Sequence, residues 1–528
     1  MRSSVSSRGQ RGPGGGVARF VWHHIFALAV LCFVVRLSAP ANAAPEGTLT
    51  FGLHVSLAPT WFDPAEAPGI VTPYLFYYLL HDALAKALPE ANPAPALAES
   101  WSAAADGMTY DFVLRPGTKF HDESPVTAED VRFSFERYRG VSASAMKERV
   151  AAVEIVGERT VRFKMKSPWP DFFSYYLGTT SAGWIVPKAY VLKTGEDGFK
   201  KAPVGAGPYR YVSFTPGIEL TVEAFESYWR KTPSVKRIVF KVIPDEAGRL
   251  VALKRGEVDI ALSIRGELAR AIEQTPGLSM QATSSPGTFW MYFPEQWDPK
   301  SPFHDRRVRE AARYAMDYDT INRTLLLGHG RMHGSLIPDT FQYYVPVPPP
   351  KYDPARARAL LAEAGYSNGF DAGFYNCDSS YSNLAEIVLN NLAEVGIRAK
   401  LRPLERVAFN KAYTEKKLKG IIQSGSASFG NTATRFEVFA VKGGGYAYGS
   451  DPDIDDLFAR QAVEMDRGKR GAILADMQRR LDESRMFAPI WQLAFLNGVG
   501  PRVEVSGFNL IKGYIYAAPY EDIRLKPR

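Results

Sequence analysis

The chain has 528 residues, of which 46% are apolar and 23% charged, and its formal net charge is +8. This length supports two or three domains with large cores, and the composition excludes a disordered or fibrous protein. Five arginines and no acidic residue lie in residues 1–43, so the remainder carries only +3. Without Lys/Arg clusters interleaved with aromatic residues, nothing in the sequence predicts nucleic-acid binding.

The first 43 residues have the three parts of a secretory signal peptide. A basic region precedes the apolar run 25–35, and Ala41-Asn42-Ala43 forms a small-x-small cleavage site. The run is too short for a membrane-spanning anchor, which is the alternative interpretation. Cys32 follows a leucine, so there is no lipobox, and cleavage would leave Cys377 as the sole cysteine. We therefore expect a soluble periplasmic protein with no internal disulfide.

The first part of the mature chain predicts a strand, an aromatic helix and a block rich in hairpins. Residues 47–53 read as a strand. The apolar run 72–83 carries tyrosines at helical spacing, which is typical of a helix packed on a sheet. Residues 97–131 contain Asp-Gly and Pro-Gly turn signals. This block ends in a helix whose first turn Thr127 and Asp130 are expected to cap.

The stretch 203–262 predicts an ordered series of turns, strands and one helix. Gly205 and Gly207 permit backbone conformations closed to other residues. The expected elements are strands over 209–214, 219–224, 235–242 and 258–262, and a helix over 246–255. Asp245 is the expected N-cap of that helix, and Gly256 its end.

Three short motifs in this stretch resemble one protein family. They are Gly-Ala-Gly-Pro-Tyr at 205–209, Tyr-Trp at 228–229 and Gly-Glu-Val-Asp at 256–259. Their order resembles that of the family 5 extracytoplasmic solute-binding proteins of ABC importers. The resemblance implies an α/β fold of the two-lobe, type II periplasmic binding protein class, with an extra subdomain in lobe I. The ligand cleft is expected between the lobes, which close on the solute.

The resemblance extends over nearly all of residues 45–528 and implies a domain organisation. The strand ending near residue 293 and the region 485–495 look like the family's two crossings between lobes. The two lobes are expected not to share one continuous sheet. The expected parts are a signal peptide (1–43), lobe I (44–285, with the extra subdomain at about 85–200), lobe II (286–490) and a return to lobe I (491–528).

Residues just after strands and at the crossings are candidates for the ligand site, because open α/β sheets bind ligands beyond the carboxyl ends of their strands. By that rule we select Trp61, Trp290, Tyr292 and Trp491. Each of these aromatic side chains could equally belong to a hydrophobic core. Within the strand at 283–293, Trp290 and Tyr292 are expected on one face and Phe289, Met291 and Phe293 on the other.

Residues 421–450 depart from the family pattern. Peptide-binding members carry an aspartate here that pairs with the peptide's α-amino group, and this chain has no acid before Glu437. Small polar groups take its place, namely Ser424, Ser426 and Asn431, together with Arg435. A desolvated arginine favours a carboxylate or phosphate. We therefore predict an anionic or neutral solute gripped by Arg435. Alternatively, Arg435 caps the following helix or pairs with Glu437.

A glycine-rich loop over 443–449 follows, and its Tyr446 could cover the ligand or simply connect two elements. The serines at 424–428 do not form a Gly-x-Ser-x-Gly nucleophile elbow, so a secreted hydrolase is the weaker alternative. A second alternative is a binder of nickel or haem chelates, which the family includes. His329 and His333 have metal-chelating spacing, but their glycines favour a loop.

The preferred function is therefore a non-catalytic solute-binding component of an ABC importer. No catalytic residue, metal or cofactor is predicted. The expected partners are a small organic solute, such as a peptide, an opine or a related carboxylate- or phosphate-bearing compound, and the permease subunits of the importer with their ATPases. We expect a monomer.

Overall fold

A computed structural model describes residues 44–527, except 67–71, 141, 350 and 427–429. The expected signal peptide lies outside the described residues. Within the described part of the chain, no helix is both long and apolar enough to cross a membrane. We call the part before the first crossing strand lobe I, to which the C-terminal segment after residue 499 also belongs. The part between the two crossing strands is lobe II.

Lobe I alternates strands with helices. Its strands are β1 Glu46–Leu53, β2 Asp82–Ala83, β3 Ala85–Leu88, β4 Ala91–Pro95, β5 Ala98–Ala103, β6 Thr109–Leu114, β7 Val150–Gly157, β8 Thr160–Met165, β9 Trp184–Ile185, β10 Tyr209–Thr215, β11 Glu219–Ala224, β12 Val235–Val242 and β13 Ile260–Ala261. Its helices are α1 Tyr74–Leu80, α2 Ala128–Arg137, α3 Ala143–Arg149, α4 Lys188–Lys201, α5 Glu246–Lys254 and α6 Gly266–Glu273, with a short helical turn at Phe172–Ser174.

Lobe II lies between the long crossing strands β14 (Ser279–Tyr292) and β18 (Phe487–Val499). Its strands are β15 Phe370–Asp378, β16 Ile397–Leu404 and β17 Ile421–Ser426. Its helices are α7 Arg306–Tyr314, α8 Tyr318–Leu325, α9 Pro354–Glu363, α10 Ser382–Glu394, α11 Arg406–Thr414, α12 Thr432–Phe439, α13 Pro452–Gln461 and α14 Arg467–Ser484. The chain then ends with the small strands β19 Val503–Val505 and β20 Arg524–Leu525.

The ten-stranded main sheet has the order β10-β11-β12-β1-β13-β18-β14-β17-β15-β16. The crossing strands β14 and β18 pair antiparallel along their length, with a break in register between Ser284 and Thr288. Lobe I joins this ribbon through β13 at one end, and lobe II joins it through β17 at the other. The expectation that the lobes do not share a sheet is therefore wrong: hydrogen bonding is continuous, because β18 also pairs with β13 of lobe I and β14 also pairs with β17 of lobe II.

A second layer of structure occupies the region predicted as the extra subdomain. There β5, β6, β8 and β7 form a four-stranded sheet, next to the small pairs β3–β4 and β2–β9. Aromatic rings fill its core, and the Phe172 and Tyr176 rings stack with their centres 5.2 Å apart. The subdomain thus has its own apolar core, although the residue limits of the domains remain a prediction.

Local sequence signals place several element ends where the chain predicts them. The Asp245 side chain accepts from Gly248 N and starts α5, and Gly256 follows with a positive φ of 70°. Thr127 and Asp130 form the predicted capping box of α2. The predicted helix 72–83 is shorter, at Tyr74–Leu80, and the predicted strand 258–262 pairs only at Ile260–Ala261. Caps fix a helix start locally, whereas strand length depends on a distant partner.

Gly205 and Gly207 stand where the chain packs directly against the end of α1. A Cβ at Gly205 would lie 2.0 Å from the backbone oxygen of Leu80 and 2.5 Å from His81 Nδ1. A Cβ at Gly207 would lie 2.5 Å from the backbone oxygen of Leu79. His121 closes the same corner, because its Nδ1 accepts from Gly205 N at 3.2 Å. The motif therefore serves close packing of backbone on backbone.

Candidate functional site

A cavity between the two lobes encloses about 750 Å³ of empty space, part of which is open to solvent. Lobe I, β18 and the C-terminal segment contribute Thr72, Phe495, Ile515 and Tyr516. From β14 and lobe II come Phe289, Asp378, Tyr381, Arg406, Phe409, Asn410, Gln423, Ser424, Gly425, Ser426, Phe439 and Tyr446. Small-molecule sites lie preferentially in clefts between domains, and this cavity lies in such a cleft.

The carboxyl ends of the lobe II strands supply most of the polar groups. Asp378 is the last residue of β15, Arg406 follows β16 by two residues, and Ser426 ends β17. These strands run parallel to one another, so their carboxyl ends lie at one edge of the sheet. This is the edge at which open α/β sheets bind ligands.

Arg406 and Asp378 form the charged end of the cavity. Their side chains are 11% and 9% exposed and form an ion pair. Arg406 Nη1 also donates to Thr72 Oγ1 of lobe I at 3.0 Å. Burial alone would lower the pKa of Arg406, but the Asp378 carboxylate and the nearby tyrosines Tyr381 and Tyr516 raise it above its ordinary value. The guanidinium is therefore a permanent cation.

Neutral amide and hydroxyl groups form the polar wall. The Gln423 Oε1 accepts from Tyr375 OH at 2.8 Å, which fixes the orientation of the amide. Its Nε2 is buried and, among the described residues, has no hydrogen-bond partner. Asn410 and Ser424 lie beside it on the cavity surface. This wall can donate to and accept from a polar solute without adding charge.

Aromatic rings form the apolar part of the cavity wall. Phe439 and Tyr446 are stacked with ring centres 5.3 Å apart and planes 19° from parallel. Phe289 packs edge to face on Tyr381 at 5.0 Å. Such surfaces bury the apolar body of a ligand, while a few polar groups fix its orientation.

Contacts outside the cavity also join the lobes. Asn431 Nδ2 of lobe II donates to Asp171 Oδ1 of lobe I at 2.6 Å, and Arg470 pairs with the same carboxylate. In the opposite sense, Arg149 of lobe I pairs with Glu437 of lobe II at 3.1 Å. Each lobe thus gives one acid and one base to this second set of contacts.

Three of the residues selected from the sequence line the cavity: Ser424, Ser426 and Tyr446. The loop 443–449 therefore brings one of its two tyrosines to the cavity wall. Asn431 does not line it, because its side chain caps α12 and contacts Asp171. Whether any of these residues binds a solute stays a prediction.

Arg435 lies behind the cavity wall instead of facing it. The side chain is 2% exposed, and Nη1 donates to the backbone oxygen of Ser426 at 3.2 Å. The guanidinium sits between the rings of Phe341 and Phe439, at 5.2 and 5.6 Å. Burial lowers the pKa of Arg435 to about 9. It does not pair with Glu437, which pairs with Arg149 across the cleft.

The selected tryptophans and Tyr292 require a correction, because they lie in hydrophobic cores and not on the cavity surface. Trp61 and Trp491 belong to the largest core, and Trp290 and Tyr292 to the core of lobe II. Alternation along β14 explains two of them: Phe289 faces the cavity side, so Trp290 and Tyr292 face away. The predicted division of this strand into two faces is confirmed.

Sequence reasoning missed Asp378 and Arg406. Both lie at or just beyond the carboxyl ends of strands, where open α/β sheets bind ligands. The selection at strand ends included only aromatic residues. The predicted lack of an acid between 421 and 434 is correct for the sequence, yet Asp378 brings a carboxylate into the cavity from another strand. Asp378 is paired with Arg406, and the prediction of an anionic or neutral solute stays a prediction.

The histidine pair at 329 and 333 lies in a loop, as its glycines predict. His333 is buried, and its Nε2 contacts the Ile337 backbone oxygen at 2.6 Å, whereas His329 is exposed. Among the described residues, no group of three or more His, Cys, Asp or Glu side chains could hold a metal ion. The described residues that line the cavity include no histidine that could activate Ser424 or Ser426.

Comparison with known families gives one match over most of the chain. The model of bacterial extracellular solute-binding proteins, family 5 Middle, matches residues 92–447. The glutathione-binding protein GsiB of Pectobacterium atrosepticum is 29% identical over 406 residues, which cover 73% of this chain and 77% of that protein.

Solved structures share the fold. The periplasmic binding protein AgaA of A. tumefacien R10, in complex with agropinic acid, matches with a TM-score of 0.79 and 25% identity, over 91% of this chain and 99% of that one. The dipeptide-binding protein of Pseudoalteromonas sp. SM9913, in complex with Met-Leu, matches with a TM-score of 0.80 and 20% identity, over 91% and 100%.

Proposed function

Because the chain belongs to the bacterial extracellular solute-binding proteins of family 5, we propose that it captures a small organic solute in the periplasm and delivers it to the permease of an ABC importer. The observation that carries this proposal is the cavity, whose wall comes from both lobes and contains an arginine with little exposure to solvent. The family consists of transport proteins and not enzymes, and we assign no catalytic residue.

The proposed solute carries a carboxylate on a partly apolar body. Arg406 offers a cation whose Nη2 has no hydrogen-bond partner among the described residues, and Asp378 beside it can accept from an ammonium or hydroxyl group. The rings of Phe409, Phe439 and Tyr446 would cover the apolar part. Peptides and opines both fit this description, and relatives named for glutathione and agropinic acid belong to the same chemical range.

Binding would act by closing the cleft. The hydrogen bond between Arg406 and Thr72 already joins the two lobes at the charged end of the cavity. A solute that contacts both walls stabilises the closed arrangement by its own contacts. The crossing strands β14 and β18 are the segments that such a movement would bend, at the register break near 284–288.

We further propose the remaining features of the sequence reading: a cleaved leader over 1–43, a periplasmic monomer, and lobes divided at 285/286 and 490/491. The leader lies outside the described residues. Mass spectrometry of the protein purified from the periplasm would give the mature N-terminus, and light scattering its molecular mass in solution.

A thermal-shift screen tests the proposed function. The panel contains dipeptides, glutathione, opines, sugar phosphates and metal chelates. A ligand at 100 times its Kd should stabilise the protein by about 2.7 kcal/mol, and small-angle scattering should then show a smaller radius of gyration. If carboxylate compounds leave the melting temperature unchanged while a metal chelate raises it, the chelate-binding alternative replaces this proposal.

A further inference from the structure

The edge strand β16 carries a row of cations on one face. β16 is the last strand of the main sheet and pairs only with β15. Ala399 and Leu401 pack against the hydrophobic core. Because side chains alternate along a strand, the exposed Arg398, Lys400 and Arg402 lie together on the other face, about 7 Å apart from one to the next. This face of lobe II lies outside the solute cavity.

These three cations form no ion pair among the described residues. Arg398 donates to the backbone oxygen of Asn368 at 3.3 Å, and the Arg402 guanidinium lies 5.4 Å from the centre of the Phe374 ring. The Lys400 ammonium has no hydrogen-bond partner in the part of the chain that the structure describes. All three charges therefore remain available to an anion from outside the protein.

The acids on or beside this face do not neutralise it. They include Asp371, Asp378, Glu295 and Glu405. Asp378 pairs with Arg406, and Glu405 accepts from the first amides of α11. Glu295 accepts from Gly420 N at 2.7 Å. Of the four, only Asp371 stands opposite one of the cations in the register, namely Arg398.

A β-bulge turns Phe374 onto the same face. Between Asp371 and Phe374, β15 holds one residue more than β16, and Gly373 at this place has a φ of 74°. Strict alternation would put Phe374 on the buried side with Phe370. The bulge instead places Phe374 opposite Lys400. Bulges are often used to re-aim a side chain in this way.

Phe374 is the only exposed phenylalanine among the described residues, at 46%. An aromatic ring set among Lys and Arg side chains is typical of surfaces that lie on anionic membranes. The core of a protein–protein interface, by contrast, is poor in charged residues, and lysine is depleted there. One ring among three cations therefore fits lipid phosphates better than the surface of a second protein.

We propose that the face formed by Phe374, Arg398, Lys400 and Arg402 docks onto anionic phospholipid headgroups of the membrane that holds the importer. The ring enters the headgroup region, and the three cations bind lipid phosphates. This inference goes beyond the proposed function, because it assigns a partner to a surface that does not touch the solute. Reversible docking would keep the binding protein close to the permease between deliveries.

Protection of the sheet edge is the alternative role for these cations. Charged side chains on an edge strand discourage pairing with other chains. That role needs neither lipid nor an exposed aromatic ring. It predicts that a variant without the charges associates with itself, whereas membrane docking predicts that the variant loses its affinity for anionic vesicles.

The decisive variant combines Arg398→Gln, Lys400→Gln and Arg402→Gln. The matched control removes the same charge from three exposed lysines of lobe I that form no ion pair among the described residues, through Lys193→Gln, Lys254→Gln and Lys526→Gln. Thermal unfolding checks that each variant folds, and light scattering measures self-association.

Binding is measured by cosedimentation with vesicles of equal parts phosphatidylcholine and phosphatidylglycerol, and with vesicles of phosphatidylcholine alone. Wild type should bind only the anionic vesicles at about 0.1 M salt, and about 1 M salt should release it, because the Debye length falls from about 10 to about 3 Å. Loss of three cations from the docking face should lower the affinity about a hundredfold. The control should stay within about threefold of wild type, because its charges lie farther from the membrane than a Debye length.

A dye at position 374 tests whether the ring enters the headgroup region. Phe374→Cys is labelled with an environment-sensitive nitrobenzoxadiazole dye, which does not reach the buried Cys377. Leu192→Cys on α4, where the native side chain is 66% exposed, is the control. Anionic vesicles should shift the emission to the blue and strengthen it at position 374 but not at position 192.

Absence of wild-type binding to anionic vesicles at about 0.1 M salt would overturn the proposal. Equal losses in the two triple variants would assign the binding to net charge and also overturn it. So would self-association of the docking-face variant with unchanged lipid binding, or equal dye responses at 192 and 374. Solute affinity should be the same in all of these variants, so a failure of the docking surface is distinct from a failure of the proposed function.

Discussion

Asn431 of lobe II donates to the Asp171 carboxylate of lobe I at 2.6 Å, although 260 residues separate them in the chain. Arg470 pairs with the same carboxylate, and both charged side chains are at most 5% exposed. Among the described residues, Asp171 forms its ion pair with Arg470 of lobe II, and Arg149 of lobe I adds a longer-range attraction. The contact therefore belongs to the closed cleft and stabilises it from outside the cavity.

Asp171→Asn should weaken this contact between the lobes. The change leaves Arg470 buried with only the Gln461 amide as a partner, so the closed arrangement loses about 1–3 kcal/mol. The affinity for a solute identified in the thermal-shift screen should fall by about 5- to 150-fold, since 1.4 kcal/mol is about tenfold. Calorimetry measures the change.

The control for Asp171→Asn is Asp197→Asn on α4, where the side chain is 87% exposed and pairs with Lys200. This variant should keep wild-type affinity, because exposed ion pairs contribute little. Equal solute affinities of the Asp171 and Asp197 variants would show that the contacts of Asp171 do not contribute to closure.

Arg406→Gln should remove the carboxylate grip and leave Asp378 without its cation. Breaking such a buried pair lowers the free energy of unfolding by about 3–5 kcal/mol. The affinity for a carboxylate solute should fall at least tenfold. Isothermal calorimetry with the best carboxylate of the screen tests this expectation.

Arg435→Met is the matched comparison for Arg406→Gln, because Arg435 is also buried but does not line the cavity. Among the described residues it has no carboxylate partner, so an apolar side chain of similar volume should leave the stability equal or higher. The affinity should stay within about threefold of wild type. A large loss of solute affinity would mean that Arg435 binds the solute, as the sequence suggested.

Gly205→Ala should destabilise the protein by about 3 kcal/mol, the upper end of the usual cost of overpacking. The new Cβ would overlap the Leu80 backbone oxygen, which cannot move without disturbing α1. Gly217→Ala is the control, because that glycine has a φ of +74° but open space around it, so strain alone should cost about 1 kcal/mol. Urea unfolding of both variants gives the comparison, and equal losses would refute the packing explanation.

Acid should destabilise the fold through its buried neutral histidines. Burial lowers the pKa of His81 to about 4 and that of His121 to about 3. The unfolded chain binds protons at about 6.5, so the stabilisation is complete above that pH and is lost as pH falls towards the folded values. Between pH 6.5 and its folded pKa, each histidine should lower the free energy of unfolding by about 1.4 kcal/mol per pH unit.

Urea unfolding at pH 7.5, 6.5 and 5.5 measures this slope. In His121→Gln the slope should decrease by the contribution of one proton relative to wild type. An unchanged slope in that variant would mean that His121 does not titrate as its burial requires.

The sequence by itself determined the family, the order of elements and many of their ends. The motif at Gly205 to Tyr209 could be read because the turn depends on residues that are neighbours in the chain. The helix start at Asp245 could be read for the same reason, since a cap bonds to an amide three residues later. The two faces of β14 followed from the period of a strand.

Only the tertiary structure decided which side chains form the cavity. Thr72, Asp378 and Arg406 lie hundreds of positions apart or on different strands, and they meet because parallel strands end at one edge and the lobes close on each other. The sequence could not show that β14 would turn Trp290 into a core and Phe289 towards the cleft, because both faces of that strand are apolar. Which apolar face meets solute depends on packing partners far along the chain, and a local sequence pattern cannot predict those partners.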